Sequence, residues 1–195
     1  MIGFGSIGQG VLPLILRHVD IKPERLTIVT GDDRGHAEAD RYGIKFAATP
    51  LTQDNYRRIL DGLVGQGDFI LNLSVEVSST ALIEYAREKG ALYLDTCIEP
   101  WPGFYTAPHL TPSQRSNYAL RETALQLRTS DNRGPTAVIT HGANPGLVSH
   151  LVKQALVNLA ADAGLGTREP SNRAEWAALA HKLGVKVVHI AERDT

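Results

Sequence analysis

The sequence predicts an α/β fold built on a Rossmann-type doubly wound parallel sheet, followed by the start of a second, substrate or catalytic domain. Three observations carry this. Short β-like runs alternate with helical patterns along most of the chain. A glycine-rich turn, GFGSIG at residues 3–8, stands at its beginning. Polar clusters follow three of the β-like runs, where open parallel sheets gather ligands.

The elements follow in order. Residues 1–2 precede the first glycine and read as the remnant of a central strand. Such strands usually run about five or six residues. A parallel sheet buries both faces, so a shortened strand is expected to cost stability. The apolar stretch 11–19 predicts a helix, in which Pro13 should introduce a kink at about 3 kcal/mol. Residues 26–30 (LTIVT), 69–73, 91–96 and 136–140 read as strands, and 44–48 adds a short one. Tyr56, Ile59, Leu60, Leu63 and Val64 form one helical stripe. Ser78 or Ser79 caps the next helix, and Gly90 ends it. Thr111-Pro112 reads as an N-cap with proline at the first helical position. Asn144-Pro145 opens a helix expected to bury Val148, Leu151, Val152, Ala155 and Leu159. Ser171 caps a last helix through Leu183, Gly184 stops it, and 185–190 reads as a final strand. Residues 1–166 therefore form the dinucleotide-binding domain, and 167–195 begin an incomplete substrate domain. Both ends read as cut, since the first strand is short and the last has no predicted partner.

A chain of 195 residues is long enough for one well-buried domain and part of a second. Its net charge of −1, without a basic stripe, argues against nucleic acid and anionic membrane as partners. The apolar stretches are too short to span a bilayer. One cysteine, Cys97, excludes an internal disulfide and fits a reducing cytoplasm. The histidines lack metal-ligand spacing, so no metal site is expected. Cys97 has no evident activating partner and reads as a buried structural thiol.

The glycines of GFGSIG have separable roles. Gly3 permits the tight turn, Gly5 admits backbone close to a pyrophosphate, and Gly8 allows close helix–strand packing. Unpaired N–H groups at the helix start then face the phosphates. An acid roughly 20 residues on should hold the adenosine ribose, and Asp32 is the candidate. The acids there favour NAD over NADP, while Arg34 beside them pulls the other way. A plain tight turn is the competing reading of the glycines.

Three clusters occupy the carboxyl ends of strands: Asn72-Leu-Ser74-Val-Glu76, then Asp95-Thr96-Cys97-Ile-Glu99-Pro-Trp101, and His141-Gly-Ala-Asn144-Pro-Gly146. The first and third suit the nicotinamide side. The second puts a carboxylate and an indole near each other, which suits a cationic amine. Trp101 fits a core position equally well, Asn144-Pro145 a helix cap, and Asp95 a structural role.

The segments MIGFGSIG, NLSVE, ALYLDTCIEPWPGFY, RSNYALRE, GANPGLVS, VKQALVNLA and GVKVVHIAERD together resemble the bacterial homospermidine synthases, within the saccharopine-dehydrogenase-like oxidoreductases. The resemblance implies an enzyme joining two putrescine molecules with release of ammonia. Bound NAD would carry a hydride transiently through imine intermediates. It implies cofactor contacts at Gly3, Gly5, Ser6, Ile7, Gly8, Asn72, Ser74, Thr96 and Asn144. It implies substrate or catalytic roles for Glu76, Glu99, Asn144 and Glu192. Glu76 stands where one member of that family has aspartate, which keeps the charge on a longer arm. Carboxylates suit a doubly protonated diamine: one can act as base, and their charge stabilises an iminium. The resemblance further implies a homodimer in a longer parent, and a fragment inactive alone. Two other readings stand beside it: an NAD(P)-dependent oxidoreductase of the same superfamily, and an inactive NAD-binding fragment.

Overall fold

A computed structural model describes residues 1–128, 133–166 and 168–191. The chain divides into two compact units, Met1–Thr140 and His141–Thr195.

The first unit alternates helix and strand: α1 (Ser6–His18), β1 (Thr27–Thr30), α2 (His36–Arg41), β2 (Lys45–Ala48), α3 (Tyr56–Leu60), β3 (Phe69–Asn72), α4 (Ser79–Lys89), β4 (Leu92–Asp95), α5 (Asn117–Gln126) and β5 (Ala137–Val138). All strand pairs are parallel, with β1 beside β2 and β4 between β3 and β5. Residues 1–3 join the two sets. Ile2 bridges Val29 on one side and Asn72 on the other. Its N–H donates to the Leu71 carbonyl and its own carbonyl accepts from Leu73 N–H, both at 2.8 Å. Gly3 N–H donates to Val29 at 2.8 Å, and Val29 N–H to Met1 at 2.9 Å. The short first strand is thus paired along both edges, which offsets much of the cost expected for it.

Two apolar clusters support this sheet. Phe4, Leu12, Leu26, Ile28, Ala39 and Ile44 form one, drawing on α1 and α2. Ile2, Tyr56, Leu60, Ile70, Leu82, Tyr85 and Tyr93 belong to the other, drawing on α3 and α4. Helix α1 begins at Ser6, earlier than the apolar run suggested, and continues through Pro13 to His18.

Several boundaries differ from expectation. Helix α5 starts at Asn117, where Ser116 accepts Ala119 N–H at 3.2 Å. The Thr111 hydroxyl is instead engaged by Gln114 at 2.9 Å, so Thr111-Pro112 forms a turn. The helix expected at Asn144-Pro145 is α6 (Leu147–Asp162), with Gly146 as its N-cap. Its buried side runs through Leu156 and Ala160, while Leu151 and Leu159 are exposed. A helix apolar on several sides does not fix its own inward face. Helix α7 (Arg173–Lys182) is capped by Asn172 rather than Ser171: Asn172 accepts Glu175 N–H at 3.0 Å. Residues 185–190 form no strand in this structure. Val187 and Val188 are exposed, and an extended run needs a paired edge to become one. No helix among the described residues is long and apolar enough to cross a membrane.

Candidate functional site

The carboxyl edge of the parallel sheet gathers the glycine loop and the ends of β1, β3 and β4. Gly3 sits at φ +84, and a Cβ there would lie 2.6 Å from Ser74 N. A Cβ on Gly8 would lie 2.9 Å from the Gly3 carbonyl and 3.1 Å from the Phe4 ring. Both glycines are dictated by the fold. Gly5 differs: a Cβ there meets nothing within 4 Å. Gly5, Ser6 and Ile7 are exposed, and no side chain caps the first turn of α1. An open cradle with uncapped N–H donors at a helix start fits a pyrophosphate.

The loop after β1 lies beside this cradle. The Thr30 hydroxyl accepts Phe4 N–H at 3.3 Å. A Cβ on Gly35 would come within 2.9 Å of both Gln9 Nε2 and the Phe4 ring. Asp32, the candidate ribose ligand, is held by Arg34. Its Oδ1 accepts the Arg34 backbone N–H at 3.0 Å, and its Oδ2 accepts Nε at 3.0 Å and Nη2 at 2.6 Å. The guanidinium keeps the Asp32 carboxyl below its ordinary range.

At the end of β3, Asn72 is buried. Its Oδ1 accepts the Ser74 hydroxyl at 2.6 Å and Ser74 N–H at 3.2 Å. Its amide donates to Tyr93 Oη at 3.2 Å, which donates in turn to Asp95 Oδ2 at 2.8 Å. Asp95 Oδ1 accepts Thr140 N–H at 2.6 Å. This chain ties together the ends of β3, β4 and β5. Burial pushes the Asp95 carboxyl up and the Tyr93 hydroxyl well above its ordinary range. The structural role read for Asp95 matches this position.

Glu99 is seated by Ser79, at the start of α4. Glu99 N–H donates to Ser79 Oγ at 3.0 Å, and Ser79 N–H donates to the Glu99 carbonyl at 2.8 Å. The Glu99 carboxylate accepts Glu76 N–H at 3.4 Å. Burial raises its pKa first, and the Glu76 and Asp95 charges push the same way. Glu76 itself is exposed at φ +58, a left-handed conformation that costs a non-glycine residue about 1–2 kcal/mol. Such strain gathers at functional sites.

The structure thus brings Gly3, Gly5, Ser6, Ile7, Gly8, Asn72, Ser74, Glu76 and Glu99 to one edge, with Asp32 on the flanking loop. Thr96 is half-buried at the end of β4. Asn144 lies exposed in the second unit, on the turn where Gly142 N–H donates to the Pro145 carbonyl at 2.9 Å. Glu192 lies outside the described residues. Trp101 stacks obliquely on Tyr56 at 5.5 Å and packs against the core, one of its two expected roles. Sequence reasoning missed Ser79 as the seat of Glu99 and Tyr93 as the link between Asn72 and Asp95. The paired serines at 78–79 held the only signal: Ser78 accepts Ala81 N–H as the cap, leaving Ser79 to face inward.

Comparison with known proteins places these observations. A family model described as the saccharopine dehydrogenase NADP binding domain matches residues 1–138. A homospermidine synthase of Blastochloris viridis is 55% identical over 199 residues, covering 100% of this chain and 42% of that protein. One from Mesorhizobium japonicum is 48% identical over 201 residues, covering 100% and 41%. The chain spans about two fifths of the length of these curated relatives. The crystal structure of the homospermidine synthase from Legionella pneumophila in complex with NAD matches with a TM-score of 0.81 at 42% identity. That match covers 95% of this chain and 38% of the other. The fold shared with it is a Rossmann-like dinucleotide-binding fold.

Proposed function

The chain belongs to the saccharopine dehydrogenase NADP-binding domain family, and from that footing we propose that it carries the cofactor-binding part of a homospermidine-synthase-type enzyme. The reaction joins two putrescine molecules into homospermidine and releases one ammonia. NAD, when bound, takes a hydride from the amine-bearing carbon of the first diamine and returns it to the new imine, so net redox change is zero.

The residues divide the work. The N–H groups at the start of α1, with Gly5, Ser6 and Ile7, hold the pyrophosphate. Asp32 takes the adenosine ribose, and Asn72, Ser74 and Thr96 line the nicotinamide side. Glu99 accepts the proton that the first amine must lose before its carbon gives up hydride. Burial, with the neighbouring Glu76 and Asp95 charges, raises its pKa and makes it a stronger base than a free carboxylate. Glu76 adds negative charge toward the diamine and its iminium. Asn144 and Glu192 complete the proposed catalytic set, and Asn144 also contacts the cofactor. Residues 1–166 serve the cofactor and 167–195 begin the substrate side. The parent enzyme is a cytoplasmic homodimer needing neither nucleic acid nor membrane.

The observation that carries this reading is Glu99: a half-buried carboxylate, seated by Ser79 and bonded to Glu76 N–H, at the sheet edge that bears the open glycine loop. The test is a chimera in which this chain replaces the matching portion of the Blastochloris viridis enzyme. Homospermidine and ammonia should form from putrescine in equal amounts, without accumulation of NADH. A folded chimera that binds NAD yet makes no homospermidine would refute the reading and leave an inactive NAD-binding module. The family model, named for a dehydrogenase, favours a second reading as an NAD(P)-dependent oxidoreductase. Net consumption of NADPH with a keto or aldehyde partner would establish that one instead.

A further inference from the structure

The amino end of the same sheet, opposite the glycine loop, carries a cavity of about 400 Å³ between α4, α5, β4 and β5. Parallel pairing sets Tyr93 beside Ala137, so the two share one face of the sheet. Tyr93, Ile139 and, from α4, Ile83 and Ala86 give the cavity an apolar floor. Arg87 of α4, Arg128 just past α5 and Arg133 before β5 also line it. Among the described residues no acid lines it. Arg87 is fixed by its bond to the Leu127 carbonyl at 2.6 Å, which ties α4 to the end of α5. Arg128 is exposed at the cavity's edge.

Small-molecule sites are concave, mostly apolar, about 300–1,000 Å³ in volume, and oriented by a few polar groups. This cavity meets each condition. Guanidinium groups without a lining carboxylate select a negative ligand, and their planar fork matches a carboxylate. A bare inorganic anion would leave the apolar floor uncovered. A diamine carries the wrong charge, so the cavity is not a second seat for the proposed substrate. We propose that it binds an organic anion with an apolar body, the carboxylate on the arginines and the hydrocarbon against Tyr93, Ile83 and Ile139. The site is separate from the glycine loop and from Glu99, and the inference goes beyond the proposed reaction without depending on it.

A heteronuclear NMR titration of the whole chain with octanoate tests it. Backbone amide signals of Arg87, Leu127, Arg128, Thr136 and Ala137 should shift together, with millimolar or tighter affinity. Octylammonium, with the same tail and the opposite charge, should bind at least about tenfold more weakly. Arg128→Glu should weaken octanoate binding by at least about tenfold, and Ala137→Leu should weaken it by narrowing the cavity. Both positions are exposed, so the melting temperature should hold in each variant. The proposal is overturned if octanoate does not bind, if the two probes bind alike, or if the shifts are confined to the glycine loop at 3–8. It is equally overturned if folded Arg128→Glu binds octanoate as the parent does.

Discussion

Two glycines of one loop should respond in opposite ways to the same added methyl group. At Gly3, alanine must adopt φ +84, and its Cβ would lie 2.6, 2.7 and 2.8 Å from Ser74 N, Ser74 Cα and Leu73 C. None of these atoms is the free end of a side chain. Retreat of the 73–74 backbone would strain the 2.8 Å bond from Leu73 N–H to the Ile2 carbonyl. The left-handed backbone costs about 1–2 kcal/mol and the overpacking about 1–3 kcal/mol. Together they give about 2–5 kcal/mol, or a Tm lower by about 4–20 °C for a chain of this size. At Gly5, φ is −73 and the methyl enters open space, so Tm should change by less than about 2 °C. That space is where the pyrophosphate is proposed to lie, so NAD affinity should fall about tenfold to a hundredfold. Thermal denaturation followed by circular dichroism and NAD titration separate the two effects. A Gly3→Ala variant melting like the parent, or a Gly5→Ala variant binding NAD within twofold of it, would refute the reasoning.

Other outcomes follow from the same edge. Tyr93→Phe removes the hydroxyl linking Asn72 to Asp95, leaves both buried groups short of a partner, and should cost about 1–3 kcal/mol in urea unfolding; an unchanged midpoint would mean that water replaces the hydroxyl. Asp95 has a folded pKa raised by burial, so its contribution to stability is full below the ordinary carboxylate range and is lost as pH rises through the raised value. The unfolding midpoint of the parent should therefore decline with pH relative to Asp95→Asn; a difference that grows the other way would contradict the sign. In the chimera, Glu99→Gln should keep the melting temperature while lowering turnover by about a hundredfold to ten-thousandfold. It should also remove the acid limb of the pH–rate profile, and a limb that persists would assign the base elsewhere.

The parts of this molecule that could be read in advance are those where one residue type answers one local need. The left-handed backbone at Gly3 and Gly90, the apolar cores of β1 and β3, and the stripe through Tyr56 and Leu60 are of that kind. What escaped depends on competition between equivalent groups. Ser78 and Ser79 both qualify as caps, and only the Glu99 segment returning 20 residues later decides which turns inward. Thr111 and Ser116 compete in the same way, and Gln114 settles the matter by occupying Thr111. The run at 185–190 has strand composition, but the partner that makes a strand is a long-range fact. Asp32 was legible as an acid on the loop after β1. Its capture by Arg34 was not, because a contact between i and i+2 depends on the loop's own turn.

The stitching of the sheet by residues 1–3 has a kinetic consequence. Strands β1 and β2, and strands β3 to β5, are two parallel sets joined through Ile2. The bridge from Ile2 to Val29 closes a modest loop, whereas the bridge to Asn72 encloses everything between. Closing the longer loop brings entropic cost before any ladder bond rewards it. Residues 1–3 must therefore wait for β3 before both their edges are occupied. Until then the glycine loop has no Ser74 backbone to rest against. The phosphate cradle is thus completed late, by the same event that turns two independent half-sheets into one cooperative unit.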